Sequence, residues 1–400
     1  MEEGDVNFMR TVDLFAGCGG LSKGFENAGF DIVGAFENWS AAVECYRNNF
    51  SHPVYEADLS DTDNAIKMIS ALKPELIIGG PPCQDFSHAG KRIEANRASL
   101  TLSYAKIIST IKPPYFVMEN VDRAQKSDTY KQAGTMFKAA GYGLTETILD
   151  ASLCGVPQKR KRFICIGVLN KADNELKEAV ASRLGTKSTT LRDYFGNTLD
   201  FEFYYRHPRN YNRRAIFSID EPSPTIRGVN RPVPKGYLGH SNDACELNEN
   251  IRALTTLERS LIQTFPPEYK WIGSKTEIEQ MIGNAVPVKL AEYVANTLNE
   301  YINSNKPIPN NQFVLPRDKF RSWLNTNKCY SARSISDIIS RTQRAFSFQN
   351  PLNGVVDDYY LFELERNPSY MNLSNSVKSQ IKRAIILYKD FYGQVSITFH

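Results

Sequence analysis

A chain of 400 residues, 42% hydrophobic and 23% charged, is long enough for two or three folded units and has the composition of a soluble globular protein. Its apolar runs fall short of the roughly 18 residues a membrane helix needs. The acidic start Met1-Glu2-Glu3-Gly4-Asp5 carries no signal-peptide pattern, and seven scattered cysteines without a C-x-x-C spacing argue against disulfides or a zinc site and for a reducing cytoplasm. The net charge of +4 is uneven, because residues 301–400 hold 13 Lys+Arg against 7 Asp+Glu; that basic quarter suits a nucleic-acid partner, or a solvated surface.

Thr11 to Phe15 reads as a first strand running into Ala16-Gly17-Cys18-Gly19-Gly20-Leu21, followed by a helix through about Ala28. Phe30 to Phe36 supplies a second strand ending at Glu37. Strand, glycine-rich turn, helix, strand and acid form the nucleotide-binding half of a doubly wound fold, with the acid placed to accept hydrogen bonds from ribose hydroxyls. Ser22 stands where a dinucleotide fingerprint wants glycine or alanine, and Asp13 precedes the turn with no cation before Lys23. An adenosine cofactor such as S-adenosylmethionine suits this better than a pyrophosphate; a plain structural turn is the alternative. Ser40 to Phe50 is helical, Val54 to Asp58 a short strand, and Asp63 to Leu72 a helix stopped by Pro74.

Leu76-Ile77-Ile78 is a buried strand by length, and Gly79-Gly80-Pro81-Pro82 ends it in a rigid turn that displays Cys83 at the sheet edge. A thiol with the ordinary pKa of about 8.5 needs activation before it acts as a nucleophile. Phe86 to Ser99 lacks periodicity and carries His88, Lys91, Arg92 and Arg97, which predicts a basic loop over a polyanion. Leu102 to Ile111 is helical. Tyr115 to Met118 forms a strand that delivers Glu119-Asn120-Val121 to the same edge, where a desolvated carboxyl can donate a proton. A helix over Lys131 to Ala140 and a strand over Leu144 to Leu149 follow. Then Gln158-Lys159-Arg160-Lys161-Arg162 enters a strand; its alternate arginines share one side and fit a base oxygen or a phosphate.

The order Asp13-Leu-Phe-Ala-Gly-Cys-Gly-Gly20, Gly80-Pro-Pro-Cys-Gln-Asp-Phe-Ser87, Glu119-Asn-Val121 and Gln158-Lys-Arg-Lys-Arg162 resembles the cytosine-5 DNA methyltransferase family of bacterial restriction-modification systems. Arg252 to Pro266 and Gln280-Met-Ile-Gly-Asn-Ala-Val-Pro287 agree with its later segments, so the likeness spans about residues 10–300. The resemblance implies an α/β fold: a doubly wound, S-adenosylmethionine-dependent methyltransferase sheet with a smaller target-recognition domain. It implies Cys83 as the nucleophile, Glu119 on the base, and Arg162 with Arg160 at the base carbonyl. It implies cofactor binding by Phe15, Gly17, Gly19, Gly20, Leu21, Glu37, Asn38, Asp58, Leu59, Pro81 and Asn284. Asn38, followed by Trp39, departs from the apolar or aromatic residue often found after the acid. Gln84 and Ser87, with Lys91, Arg92 and Arg97, are expected on double-stranded DNA around a flipped base. A cognate restriction endonuclease is implied by analogy alone.

The expected organisation is residues 1–168 plus 281–300 for catalysis and cofactor, 169–280 for target recognition, and 301–400 as a basic, mainly helical accessory domain. Arg206, Arg209, Arg213 and Arg214 lie among aromatics in the middle region, where guanine reading, phosphate contact and plain surface remain open. In the last region Ser334 to Phe346 and Ser376 to Tyr392 have helical apolar spacing after a Pro307/Pro309 linker. A tRNA methyltransferase on the same scaffold is the alternative, although its usual Cys-Phe-Thr tripeptide is missing; a non-catalytic DNA-binding relative is another.

Overall fold

Short apolar runs line up as neighbours in one seven-stranded sheet. The computed structural model describes residues 9–82, 94–208, 210, 213–305, 315–349, 351, 355–356 and 358–396. Its strands are β1 (Arg10–Leu14), β2 (Asp31–Glu37), β3 (Val54–Glu56), β4 (Leu76–Gly79), β5 (Tyr115–Val121), β6 (Tyr142–Asp150), the two-residue β7 (Gln158–Lys159) and β8 (Lys161–Leu169). The sheet order is β3-β2-β1-β4-β5-β8-β6, parallel from β3 to β5, with β8 antiparallel to both of its neighbours.

Helices α1 (Gly20–Asn27), α2 (Ser40–Arg47), α3 (Thr62–Ala71), α4 (Glu94–Ile111) and α5 (Asp128–Ala139) connect the strands. Because side chains alternate across a strand, Leu76, Ile78 and Val117 enter one core layer with Phe25, while Ile77, Phe116 and Met118 enter the opposite layer with Tyr104, Ile108 and Phe137. Both faces are therefore covered, which is why these strands read as continuous apolar runs rather than alternating ones. The connections run outward in opposite directions from the adjacent β1 and β4, so a crevice opens at their carboxyl ends.

Two differences from the sequence-based expectations stand out. α4 begins at Glu94, not at Leu102, because Glu94-Ala-Asn-Arg-Ala-Ser-Leu100 combines good helix formers without glycine or proline, a signal that apolar periodicity does not carry. Arg97 thus lies on a helix instead of a loop; its side chain, together with Cys83, Gln84, Ser87, Lys91 and Arg92, falls outside the described residues. β8 starts one residue beyond β7, with Arg160 between them, and its antiparallel course sets Val121 opposite Arg162 at the crevice.

Beyond β8 come α6 (Lys177–Ser182), α7 (Leu191–Phe195), the antiparallel pair β9 (Phe203–Tyr205) and β10 (Ile216–Ser218), and β11 (Ser223–Pro224), which runs parallel to β7. Leu191, Tyr204, Phe217, Ile226, Leu254 and Ile262 form a small core there. α8 (Thr256–Ile262), α9 (Lys275–Asn284) and α10 (Val288–Asn305) follow. The chain divides into two compact units, Met1–Ser304 and Asn305–His400. The second contains α11 (Arg317–Lys328), α12 (Ala332–Phe348), α13 (Asp358–Arg366), α14 (Pro368–Met371) and α15 (Asn375–Ser396). Ile381, Ile385 and Tyr388 on α15 are buried with Phe320, Leu324 and Ile338, as their spacing requires.

Candidate functional site

The crevice holds a cavity of about 440 Å³ with two walls of different construction. On the first wall β1 ends at Phe15, whose φ of 58° is a left-handed conformation an aromatic residue rarely adopts; such strain clusters at functional sites. Glu37, at the end of β2, is locked by backbone donors. Gly17 N–H gives a 2.8 Å bond to Oε2, and the N–H groups of Asn38 and Trp39 give 2.8 Å bonds to Oε1. A Cβ on Gly20 would stand 2.3 Å from the Val286 carbonyl oxygen, so only glycine lets the start of α1 lie against that segment.

Beneath this wall Asp13 is wholly buried and accepts a 2.6 Å bond from Ser22 Oγ, which in turn accepts one of 2.6 Å from Tyr46. Burial pushes the Asp13 carboxyl up to about 7, against the lowering effect of Ser22.

The second wall is an ion pair. Glu119 pairs with Ile164 in the β5–β8 register, so Arg162, two residues earlier on β8, is its diagonal neighbour. Arg162 Nε lies 2.7 Å from Glu119 Oε1, with both side chains nearly buried. Burial pushes the Glu119 carboxyl up, and the nearby Arg162 and Arg160 guanidiniums only partly offset it. A Cβ on Gly80 would come within 3.2 Å of Glu119 Oε2, so glycine leaves that oxygen uncrowded. Asn120 Nδ2 donates to the Pro81 carbonyl at 2.9 Å and thereby fixes the turn that leads to Cys83.

The cavity brings together Phe15, Gly17, Gly20, Leu21, Glu37, Pro81, Glu119, Arg160, Arg162 and Asn284 of the expected residues. Gly19, Asn38, Asp58 and Leu59 do not line it. Gly19 faces the rings of Phe50 and Tyr46, and Leu59 is 2% exposed in the core. Asp58 accepts a 2.9 Å bond from Ser60 N–H in a local turn. Trp39, not Asn38, lines the cavity. Arg160 lines it as well, yet its terminal nitrogens donate to the backbone carbonyls of Ile226, Gly283 and Ala285 at 3.0 Å each, while its buried Nε has no partner among the described residues. The two co-directed arginines are thus not equivalent, because only Arg162 meets the buried carboxylate.

A second cleft, of about 550 Å³, is lined by Lys159, Arg206, Arg213, Arg214 and Arg227, with Glu221 as its acid. Glu221 pairs with Arg214, which also lies 4.2 Å over the Phe217 ring. The remaining positive field is felt at His207, held below its ordinary value by burial and then by Arg231, Arg227 and Arg206.

Residues 9–300 match the family model for C-5 cytosine-specific DNA methylases. The Type II methyltransferase M.HindV of Haemophilus influenzae is 59% identical over 293 residues, covering 72% of this chain and 96% of that protein. M.HgiDI of Herpetosiphon aurantiacus is 56% identical over 296 residues, covering 74% and 96%. Among solved structures, the S. pombe Dnmt2 methyltransferase superposes with a TM-score of 0.55 at 20% identity, over 74% of this chain and 100% of that one. The Entamoeba histolytica methyltransferase EhMeth gives 0.56 at 20% identity, over 75% and 99%. At such identities the superpositions speak for the fold, while the family match and the close relatives speak for the chemistry. The chain belongs to the C-5 cytosine-specific DNA methylases and is a DNA cytosine-5 methyltransferase.

Proposed function

We propose that the protein moves a methyl group from S-adenosylmethionine to carbon 5 of a cytosine swung out of a specific double-stranded DNA sequence. Its role is to protect that sequence from a cognate restriction endonuclease in the bacterial cytoplasm. The observation that carries the reading is that Glu37 and the glycine turn line the same cavity as Glu119, Arg162 and the Pro81-Pro82 turn preceding Cys83.

The first wall fits the donor. Glu37 is oriented by three N–H groups and keeps an acceptor site on Oε2 for a ribose hydroxyl. Phe15, Leu21, Trp39 and Val286 offer apolar surface to an adenine, and the cations of the lining, Arg160 and Arg162, stand on the other side, where no pyrophosphate is called for. When bound, S-adenosylmethionine supplies the methyl group as an electrophilic carbon on a sulfonium.

The second wall fits the base. Carbon 5 of cytosine is a poor nucleophile until a group adds to carbon 6. The Cys83 thiolate forms that sulfur–carbon bond, leaving an enamine whose carbon 5 carries the electron pair. Glu119, whose proton affinity is raised by burial, delivers a proton to N3 and holds the exocyclic amine as sulfur adds, so charge does not accumulate on the ring. Arg162 moves its donors from the carboxylate to the base carbonyl oxygen. After methylation the carbon-5 proton passes to water, the sulfur–carbon bond breaks with Cys83 leaving as thiolate, and N3 returns its proton to Glu119.

Extruding the base costs a few kcal/mol. Gln84 and Ser87 are proposed to fill the gap, with Lys91, Arg92 and Arg97 on the backbone. Residues 169–280 are the proposed recognition region, where the Lys159–Arg213 cleft supplies a surface of the right charge for phosphates. Bisulfite sequencing of DNA from cells making the protein tests the reading: one cytosine in one short sequence context is protected from conversion, and the protection disappears with Cys83→Ser. Uniform conversion with the active-site residues intact would refute it.

A further inference from the structure

Between the two walls lies a buried polar hub to which the chemistry above gives no task. Gln158, Arg160 and Gln263 are each at most 1% exposed. Gln158 Nε2 donates to Gln263 Oε1 at 2.7 Å, and Gln158 Oε1 accepts from the Ile226 N–H at 2.8 Å. Gln263 Nε2 reaches the carbonyls of Ile282 and Ala285. Arg160 completes the set on Ile226, Gly283 and Ala285. Three side chains thus tie together β7, the segment after β11, the end of α8 and the end of α9.

Burying a guanidinium and two amides to bind carbonyls is an expensive way to fill space, since apolar side chains of similar volume do so without desolvation. What the polar set adds is directionality, because each bond fixes a backbone group in place. The groups fixed are informative. Arg160 stands between β7 and β8, two residues before the Arg162 of the base-side ion pair. Gly283 and Ala285 flank Asn284 in the cavity lining. A Cβ on Gly283 would come 2.1 Å from the Gly228 nitrogen, so backbone meets backbone at this joint and leaves little room for play.

We propose that Gln158, Arg160 and Gln263 are positioning residues that set the distance between the Glu119–Arg162 pair and the donor-side wall around Asn284. This rests on the assignment of the two walls to cytosine and S-adenosylmethionine. Methyl transfer needs both ligands in register, and a displacement near 1 Å can cost about 10²-fold. Addition of the Cys83 sulfur to carbon 6 needs only the base side. Its reversal after carbon 5 takes up a solvent proton exchanges the carbon-5 hydrogen with water and consumes no donor.

The test uses the full chain carrying Gln263→Met, which keeps the side chain's length and removes its hydrogen bonds, and Gln263→Asn, which keeps the amide but shortens its reach. For each, single-turnover methyl transfer, donor-free exchange of tritium from carbon 5, and affinities for S-adenosylmethionine and for the duplex are measured beside a melting curve. The expected result is at least about a 30-fold loss in methyl transfer, with exchange and both affinities within about threefold of the parent. Transfer at the parental rate in either folded variant would overturn the proposal. So would losses of exchange, transfer and affinity in parallel, the mark of a merely structural role. Absence of exchange and transfer in the parent itself would instead refute the assignment of the base-side wall.

Discussion

The two walls of the cavity solve the same problem, holding a carboxylate ready for a ligand, by opposite means. Glu37 is gripped by three backbone N–H groups of its own turn and its neighbour's, so its position follows from where β1 and β2 end. Glu119 is gripped by a side chain, Arg162, and its carboxyl is desolvated as well. A backbone-held acid is fixed in place to accept hydrogen bonds. A partnered, desolvated acid can exchange its partner for a base and hold a proton that it then gives away. The difference teaches that binding and chemistry are divided between the walls, and substitutions should divide the same way.

The sharpest break is expected on the chemical side. Cys83→Ser should lower turnover on the order of 10⁴-fold or more, because an unactivated hydroxyl cannot replace a thiolate; rapid-quench methyl-transfer assays read this directly. Glu119→Gln should lower kcat by about 10²–10³-fold with donor affinity nearly unchanged. In the proposed mechanism Glu119 delivers a proton, so the parent's kcat should fall as pH rises through its upshifted pKa, and this limb should vanish in the variant. On the binding side, Glu37→Ala should weaken S-adenosylmethionine binding about 10–100-fold, the loss of one or two hydrogen bonds to a charged group. The rate at saturating donor should stay within a few-fold, as calorimetry combined with saturation kinetics would show. A kcat collapse in Glu37→Ala would erase the distinction between the walls.

The smallest effect concerns the support under the first wall. Asp13 has a folded-state pKa raised to about 7, so its contribution to stability is complete below the ordinary carboxylate range and is lost as pH rises through about 7. Relative to Asp13→Asn, the parent should lose about 1 kcal/mol of stability between pH 6 and pH 8. Denaturant melts at the two pH values would check it, and a constant difference would contradict the burial argument.

How much of this was readable in advance follows from how local each feature is. β4 and β5 are legible because strands covered on both faces contain continuous apolar runs, here bounded by Gly79-Gly80 at the end of β4 and Pro113-Pro114 before β5. Glu37, Glu119 and Arg162 are legible because each sits at a strand end, where side-chain alternation fixes the direction. The start of α4 is not, since its first residues are helical by propensity without a periodic apolar stripe. Trp39 reaches the cavity in place of Asn38 because the turn after β2 folds the Asn38 N–H back onto Glu37. The hub at Gln158, Arg160 and Gln263 was invisible as such. Its bonds join positions from 19 to 125 residues apart, and no spacing encodes them. In the second unit α12 and α15 show their buried stripes over several turns, whereas the stripe of α11, Phe320, Trp323 and Leu324, is confined to a single turn.

The central claim is that a sulfur at position 83 bonds to a cytosine held against Glu119 and Arg162 beside the donor. Duplex DNA containing 5-fluorocytosine at the methylated position tests it most directly, because the fluorine cannot leave as the carbon-5 proton does. Mass spectrometry of the digested complex should find the methylated pyrimidine attached to the peptide carrying Cys83, only when S-adenosylmethionine is present. An adduct on another residue, or methyl transfer to normal DNA with no adduct trapped on the fluorinated duplex, would contradict it.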